Sequence, residues 1–312
     1  MSVQQEIVPT LRRHVFPTEL GPCTVRVQRG TRGQCAASGT PDVYFHGAAG
    51  SWTTFRALLD GAPARDRILL DLPGWGESTN GARLEQFSIE AMARAVTGVL
   101  NALGYRRWNL VGHSMGGFLA LHMAAARPGQ TASVATISAT TFGVSRASRA
   151  PLRGLHGHPA FTGMLLAMRA LAALGPAGTA LVRTIATTPL MGTLMSPFFA
   201  DPGVISPAVI RDLGDDARPA SFSAAARAAA QYDFSQWRGI RCPVLAIRGD
   251  SDVFTPESDV VRLAEIVPHT WTATILNCGH FAHIEQRDQV RLLLEELWRR
   301  TGDALAVTTG PA

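Results

Sequence analysis

The most informative absence in this sequence is lysine, because all 29 basic residues among the 312 are arginine. Without lysine the chain cannot form a Schiff base, use a lysine general base or build a phosphate-binding loop that depends on one. The formal net charge is +5, but the arginines are scattered and make no basic run or aromatic-rich RNA-binding signature. We therefore expect a solvated, arginine-rich surface and no nucleic-acid partner.

Paired cysteines, a signal peptide and a long apolar run are also lacking. The four cysteines show no CxxC spacing, which disfavours a zinc site or redox pair and favours free thiols in a reducing cytoplasm. The N-terminal segment has no apolar stretch typical of a signal peptide. The most apolar stretch, 161–182, is interrupted by arginine, glycine and proline, so it falls short of the ~20 residues that span a bilayer. We predict a cytoplasmic protein without a membrane span, and the sequence leaves its oligomeric state open.

The chain does contain a regular alternation of short apolar strands and helices. Several of the strand candidates are apolar on both faces, as buried parallel strands are. Helical stretches lie between them, for example 87–103, where apolar residues recur at helical spacing. This alternation predicts an α/β fold with a mostly parallel sheet and helices on both faces. The strand candidates are 23–28, 42–46, 67–71, 108–112, 133–139, 243–249 and 272–277.

The alternation stops between 144 and 237, a segment rich in Ala, Leu, Met and Arg without a convincing strand. We interpret 144–237 as a helical cap inserted into a core formed by 1–143 and 238–312. Because ligands bind at the carboxyl ends of strands in open α/β sheets, we expect the cap to form a lid there. About a third of the cap's large apolar residues should face a ligand. The candidates are Phe161, Met164, Leu165, Met168, Leu171, Met191, Met195, Phe198 and Phe199.

A candidate nucleophile stands at Ser114, in the motif Gly112-His113-Ser114-Met115-Gly116. The motif lies directly after a predicted strand and before a helical stretch, which is the context that a nucleophile elbow requires. Glycines two residues on either side of a serine let the tight turn close while it presents the hydroxyl at the edge of the sheet. We predict that Ser114 is the nucleophile.

A serine hydroxyl needs a base, and His280 follows the last predicted strand. The acid that orients the base should follow the penultimate strand, where Asp250 and Asp252 both stand. The chain order Ser, Asp, His matches the order found with such elbows. We predict a triad of Ser114, His280 and Asp252, with Asp250 as the alternative acid or a turn-forming residue. His283 is the less favoured base.

An oxyanion hole is predicted from the segment HGAAGSW, which begins at His46 and follows the second strand candidate. A backbone amide there can face the developing negative charge, and we expect the amides of Ala48 and Met115 to form the hole. Gly47 belongs to this loop. His46 itself is expected to serve in the turn more than in catalysis.

Five segments in order, HGAAGSW, DLPGWGES, GHSMGG, GDSDVFTP and GHFAHIEQ, resemble the α/β-hydrolase superfamily. The resemblance spans 43–298 apart from the cap and is to its capped serine esterases, thioesterases, lactonases and C-C bond hydrolases. It implies the α/β-hydrolase fold with an eight-stranded sheet, and it places Trp75 near the pocket mouth, with plain packing as the alternative. Serine at the elbow disfavours the dehalogenase and epoxide hydrolase reactions, which use aspartate there. His113 stands where the C-C hydrolases usually have asparagine. The family usually has a proline two residues after the glutamate that corresponds to Glu285, and this sequence has Arg287 there.

These features predict a serine hydrolase that cleaves a hydrophobic small-molecule ester, thioester or lactone through an acyl-enzyme intermediate. No metal or organic cofactor is implied. The alternatives are a non-hydrolytic or C-C bond-cleaving enzyme of the same fold and a ligand-binding receptor that retains it. The candidate pocket residues are His46, Gly47, Trp75, His113, Phe254, Phe281, Met164, Met168 and Phe198.

Overall fold

The computed structural model describes residues 11–30, 39–63 and 65–308. Eight strands form one sheet in the order β1-β2-β4-β3-β5-β6-β7-β8. The pairs β1/β2 and β2/β4 are antiparallel and the other five are parallel. The predicted mostly parallel eight-stranded sheet is therefore confirmed. The strands are β1 (Arg12–Thr18), β2 (Gly21–Gln28), β3 (Asp42–Phe45), β4 (Arg67–Asp71), β5 (Trp108–His113), β6 (Thr131–Ile137), β7 (Val244–Gly249) and β8 (Thr270–Ile275).

Two differences from the predicted strands have local causes. No strand was predicted for β1, an edge strand whose side chains are mostly exposed and which contains a proline. The strands predicted over 133–139 and 272–277 each end two residues earlier in the structure, at Ile137 and Ile275, and each pair of excess residues includes one with positive φ, Ser138 (51°) or Asn277 (52°). A positive φ breaks the extended geometry of a strand, and these residues begin the loops that carry the site.

The central strands are buried on both faces. Val43 and Phe45 of β3 pack in one apolar cluster, whereas Tyr44 between them packs in a second cluster on the opposite face. Successive side chains of a strand point to opposite faces, so helices must cover both sides. Met92 of one helix belongs to the first cluster and Leu294 of another to the second. The sheet is thus the middle layer of three.

The helices follow the predicted pattern. The stretch predicted over 87–103 forms a helix over Ile89–Ala102, which begins where the Ser88 side chain accepts a hydrogen bond from the Ala91 amide, as a helix N-cap does. The helices are α1 (Arg56–Leu59), α2 (Ile89–Ala102), α3 (Met115–Ala126), α4 (Phe142–Arg149), α5 (Pro151–Gly157), α6 (Pro159–Ala173), α7 (Pro176–Ala186), α8 (Pro189–Met195), α9 (Pro207–Asp215), α10 (Pro219–Gln231), α11 (Glu257–Ile266), α12 (Ala282–Glu285) and α13 (Arg287–Thr308).

Seven of these helices, α4 to α10, lie between β6 and β7, and this helical insertion contains no strand. Its first helix begins at Phe142, two residues before the predicted start of the cap. The division into cap and core domains stays a prediction. Across the described ranges, none of the helices combines the length and apolar character that a membrane crossing requires.

Candidate active site

The site begins at the turn between β5 and α3. Since β5 ends at His113 and α3 begins at Met115, Ser114 alone makes the turn, with φ 53° and ψ −119°. Such a backbone conformation costs a non-glycine residue roughly 1–3 kcal/mol and persists only where its surroundings hold it. The Ser114 amide donates to the carbonyl of Ile137 at 3.0 Å, and the Ser114 carbonyl accepts from the amides of Gly117 and Thr140 at 3.0 and 3.3 Å.

The glycines of the motif are required because the backbone of α3 lies very close to the ends of β5 and β3. A Cβ on Gly112 would stand 2.2 Å from the carbonyl oxygen of Gly116, and a Cβ on Gly116 would stand 2.1 Å from that of Phe45. Both are backbone contacts, so a side chain could be accommodated only by moving the strand or the helix. The spacing that predicted the elbow therefore reflects direct packing of α3 against the ends of β5 and β3.

The loops after β7 and β8 bring Asp252 against His280. Nδ1 of His280 lies 2.9 and 3.1 Å from the two carboxylate oxygens of Asp252. The same carboxylate accepts from the amides of Phe254 and Thr255 at 2.8 and 3.1 Å. Burial raises the pKa of Asp252, but its attraction to His280 and these hydrogen bonds outweigh burial, so the pKa lies below its usual value. An ionised carboxylate only accepts, so Nδ1 carries a proton and Nε2 is left as the basic nitrogen.

The alternative acid, Asp250, serves the loop. Its carboxylate accepts from the Cys278 amide at 3.1 Å and from the Ser251 hydroxyl at 3.1 Å, and no contact with His280 is recorded within the described residues. This is the turn-forming role that the sequence analysis favoured for Asp250. The geometry thus places Asp252, and not Asp250, against His280.

Glu285 was not predicted as a site residue, yet it fastens the His280 loop to the helical insertion. Its carboxylate oxygens accept from the amides of Gly279 at 3.0 Å and Ala200 at 2.7 Å. The His280 amide in turn donates to the carbonyl of Phe198 at 2.7 Å. The departure from the family pattern after Glu285 therefore leaves an ordered, bonded loop. No local sequence pattern predicts this tie.

The predicted oxyanion loop follows β3. Met115 is the first residue of α3, so its amide has no acceptor within the helix, and no hydrogen bond from the Ala48 amide is recorded in the described part of the chain. Trp75 donates from its indole nitrogen to the Ala48 carbonyl at 2.7 Å. His46 donates from Nδ1 to the Gly47 carbonyl at 2.8 Å, while its Nε2 accepts from the Leu72 amide at 3.1 Å. The buried rings of Trp75 and His46 thus hold the Ala48 and Gly47 carbonyls of this loop in place.

A cavity of about 460 Å³ lies between the sheet edge and the helical insertion, and both Ser114 and His280 line it. Its size falls within the roughly 300–1,000 Å³ of ordinary small-molecule sites. No Asp, Glu, Arg or Lys is among its described lining residues, and its ionisable side chains are His113 and His280. The site is therefore an apolar chamber whose polar groups are concentrated at one end.

The candidate pocket residues divide clearly. Gly47, Ala48, His113, Phe254 and Phe281 line the cavity from the core, but His46 and Trp75 do not. Only their place among the pocket residues is corrected: both are fully buried and hold the loop, which is the role expected for His46 and the packing alternative given for Trp75. Of the nine cap residues, seven line the cavity, so the expected third was too low: Phe161, Met164, Met168, Leu171, Met191, Met195 and Phe198.

Two further histidines are buried beside His280. His113 donates from Nε2 to the His280 carbonyl at 3.0 Å, and its ring centre lies 4.4 Å from that of His283. Neither nitrogen of His283 has a partner among the described residues. Burial, reinforced by neighbouring histidines, holds the pKa of His113 well below its usual value and lowers that of His283 to about 3. Both rings are therefore neutral near pH 7, which leaves His283 unsuited to act as the base.

The structure adds two observations on metals and thiols. The described residues contain no cluster of three or more His, Cys, Asp or Glu side chains that could hold a metal ion. Cys23, Cys242 and Cys278 are buried free thiols, and Cys35 lies outside the described residues. The cytoplasmic location stays a prediction.

A mostly parallel sheet covered by helices on both faces, with a strained serine turn between strand and helix, defines the α/β-hydrolase class. The family model for the alpha/beta hydrolase fold matches residues 43–286, and the chain belongs to that family of enzymes.

Similar proteins differ in the reactions that their names state. The chain is 26% identical over 305 residues to the 2-hydroxy-6-oxo-6-phenylhexa-2,4-dienoate hydrolase of Burkholderia cepacia, covering 92% of this chain and 96% of that protein. It is 31% identical over 118 residues to pig bifunctional epoxide hydrolase 2, covering 37% of this chain but only 21% of that protein. A thermophilic esterase from Thermogutta terrifontis has a similar structure, with a TM-score of 0.67, 20% identity and coverage of 93% and 99%. This last likeness shows the fold alone.

Proposed function

We propose that the protein hydrolyses uncharged, largely apolar carboxylic esters, thioesters or lactones through an acyl-enzyme intermediate. One observation carries the proposal: Ser114, held in a strained turn, shares an apolar cavity with His280, whose ring is hydrogen-bonded to the buried Asp252. A positioned base beside a serine is the arrangement that activates a hydroxyl for attack on a carbonyl carbon.

In the proposed reaction Nε2 of His280 takes the Ser114 proton as Oγ attacks the carbonyl carbon. The carbonyl π electrons move to its oxygen, and the amides of Ala48 and Met115 donate hydrogen bonds to the resulting oxyanion. Collapse expels the alcohol or thiol, which receives its proton from His280, and leaves the acyl group on Ser114. His280 then deprotonates a water molecule that attacks the acyl carbon, and the bond from that carbon to Oγ breaks as Oγ takes the proton back from His280, which releases the acid and restores the serine. Asp252 stabilises the imidazolium in both halves, and the positive end of α3 favours the oxyanion.

The chemistry of the lining favours an uncharged substrate. The hydrolases that match most of this chain are named for dienoate and dienedioate substrates, which are carboxylates. Burying a carboxylate without a cation or a set of donors is strongly unfavourable, and the described lining offers no arginine to pair with it. Hydrolysis of a C-C bond is the second candidate, and similarity over 92% of the chain is the observation in its favour.

We also propose that the segment 144–237 acts as a cap that selects substrates. The support is the distribution of the lining: the cap supplies a continuous set of Met, Leu and Phe side chains, whereas the predicted reacting groups stand on core loops. Loops at a sheet edge commonly hold the chemistry while neighbouring elements shape the pocket.

A fluorophosphonate probe followed by a substrate panel tests the proposal. We expect the probe to label the wild type and the exposed-serine control Ser251→Ala, but not Ser114→Ala, which should stay folded and lose turnover by at least about 10³-fold. Short and medium p-nitrophenyl esters should be hydrolysed faster than 2-hydroxy-6-oxo-6-phenylhexa-2,4-dienoate. Cleavage of the dienoate without cleavage of esters would support the C-C alternative, and a serine that never reacts would support the receptor.

A further inference from the structure

The outer layer of the helical insertion, formed by α5, α6, α7 and α8, exposes an unusual amount of leucine. Seven of the nine exposed leucines in the described chain belong to these helices or to the residue that ends one of them. Scattered single apolar residues are ordinary at a protein surface, but their concentration on one layer marks an interaction surface. The seven are Leu152, Leu155, Leu166, Leu174, Leu181, Leu190 and Leu194.

The charge of the same layer has one sign. No Asp or Glu stands between Glu90 and Asp201 in the sequence. Arg153, Arg169 and Arg183 lie on α5, α6 and α7, and none forms an ion pair with another described residue. A layer that combines exposed leucine with unpaired arginine and contains no acid complements a surface that is apolar inside and negatively charged outside.

The mouth of the cavity opens through this layer. Gly163 and Ala167 of α6, Leu194 of α8 and Pro197 just after it are exposed at the surface and also line the cavity. The entrance therefore lies between α6 and α8, with Leu190 one helical turn from Leu194 on the same face. An apolar substrate that enters here passes the exposed leucines first.

The composition of the layer also distinguishes between possible occupants. The large exposed apolar residues of the layer are leucines, which are under-represented among the residues that dominate the binding energy of protein–protein interfaces but are typical of the apolar face of helices that bind at a lipid surface. A second copy of the chain docked through this layer would bring arginines against arginines, which costs affinity. We propose that the outer layer docks on an anionic lipid surface, with the cavity mouth turned toward the lipid. Entry of the substrate from the lipid rests on the proposed function, whereas docking itself does not.

Flotation of the full chain with lipid vesicles tests the docking. Wild type and Ser114→Ala should both float with phosphatidylcholine vesicles that contain phosphatidylglycerol, so the result is independent of catalysis. The variant Leu152→Ser/Leu155→Ser/Leu190→Ser should bind at least about tenfold more weakly. Its control, Leu276→Ser/Leu292→Ser, removes the two exposed leucines of the described chain that lie outside the insertion and should bind as the wild type does. The two leucine variants are first compared with the wild type for thermal unfolding and for hydrolysis of a water-soluble ester, and both properties should be unchanged.

A charge pair of variants completes the test. Arg153→Gln/Arg183→Gln should lower the affinity for the anionic vesicles by about tenfold and reduce its salt dependence, whereas Arg127→Gln/Arg241→Gln, with the same loss of charge elsewhere, should not. Failure of the wild type to float with anionic vesicles would overturn the proposal. So would equal binding by the two leucine variants, or self-association in solution that the outer-layer leucine variant abolishes, because that result would assign the layer to a second copy.

Discussion

The loops at the sheet edge and the helical insertion that covers them are built on different physical principles. On the core side, the Asp252 carboxylate and the Ser114 turn are held by hydrogen bonds between 2.8 and 3.3 Å and by close glycine packing. The insertion contributes apolar side chains to the cavity. Apolar contacts depend on how well the surfaces fit and not on the direction of a bond. The contrast implies that reactivity and selectivity can be changed separately, since hydrogen bonds fix geometry and apolar walls fix size.

The largest effect within this contrast is expected for the acid on the core side. Asp252→Asn should lower kcat by about 10³–10⁴-fold, because the amide no longer fixes the His280 tautomer or stabilises its charge. Asp250→Asn is the matched control, since that carboxylate contacts the loop and not the base, and its kcat should change far less. Steady-state kinetics on one soluble ester measures both, and the reverse ranking would move the acid to Asp250.

The next effect concerns the insertion. Met164→Ala and Met168→Ala remove cavity-lining side chains and should lower kcat/KM for medium-chain esters relative to p-nitrophenyl acetate by about ten- to two-hundredfold, the value of one to three kcal/mol of apolar contact. Leu166→Ala on the same helix is exposed and outside the lining, so the selectivity should stay that of the wild type. Equal losses on short and long esters in the methionine variants would mean that the insertion supports the site without selecting substrates.

The loops of the core side could be located from the sequence because their signals are local. A strand, a G-x-S-x-G turn and a helix follow one another within a few residues, and the same short spacing places Asp252 and His280 just after their strands. Trp75 and His46 were assigned to the pocket because the sequence places both residues on loops beside it. The sequence does not determine the direction in which their rings point. The insertion was recognised by its lack of strands, yet the number of its side chains that face the cavity depends on how seven helices pack together, which no local pattern fixes.

The next prediction concerns Glu285, which links the His280 loop to the helical insertion. Glu285→Gln keeps the shape of the side chain but removes the charge that accepts from the amides of Gly279 and Ala200. Burial raises the pKa of Glu285, and the weakened bonds should lower the free energy of unfolding by about 1–3 kcal/mol, with a smaller effect on kcat than Asp252→Asn. Glu295→Gln, on the exposed face of α13, is the control. Urea denaturation measures both, and equal stability of the two variants would show that the tie contributes nothing.

The smallest effect is a pH dependence of stability that resides in the core alone. The pKa of His283 is lowered to about 3 in the folded protein, below the usual value near 6.5 that it regains on unfolding. Between these two values the unfolded state binds more protons, so the contribution of His283 favours folding fully above about pH 6.5 and is lost progressively as the pH falls toward 3. The contribution of His283 to the free energy of unfolding falls by about 2 kcal/mol between pH 7 and pH 5.

His283→Leu removes two buried nitrogens that have no partner among the described residues. The variant should therefore lose about 2 kcal/mol less stability than the wild type between pH 7 and pH 5. His269→Leu, at an exposed position, should follow the wild type. Urea denaturation at the two pH values separates the variants, and an acid sensitivity of His283→Leu equal to that of the wild type would assign the effect to other buried groups, His113 first among them.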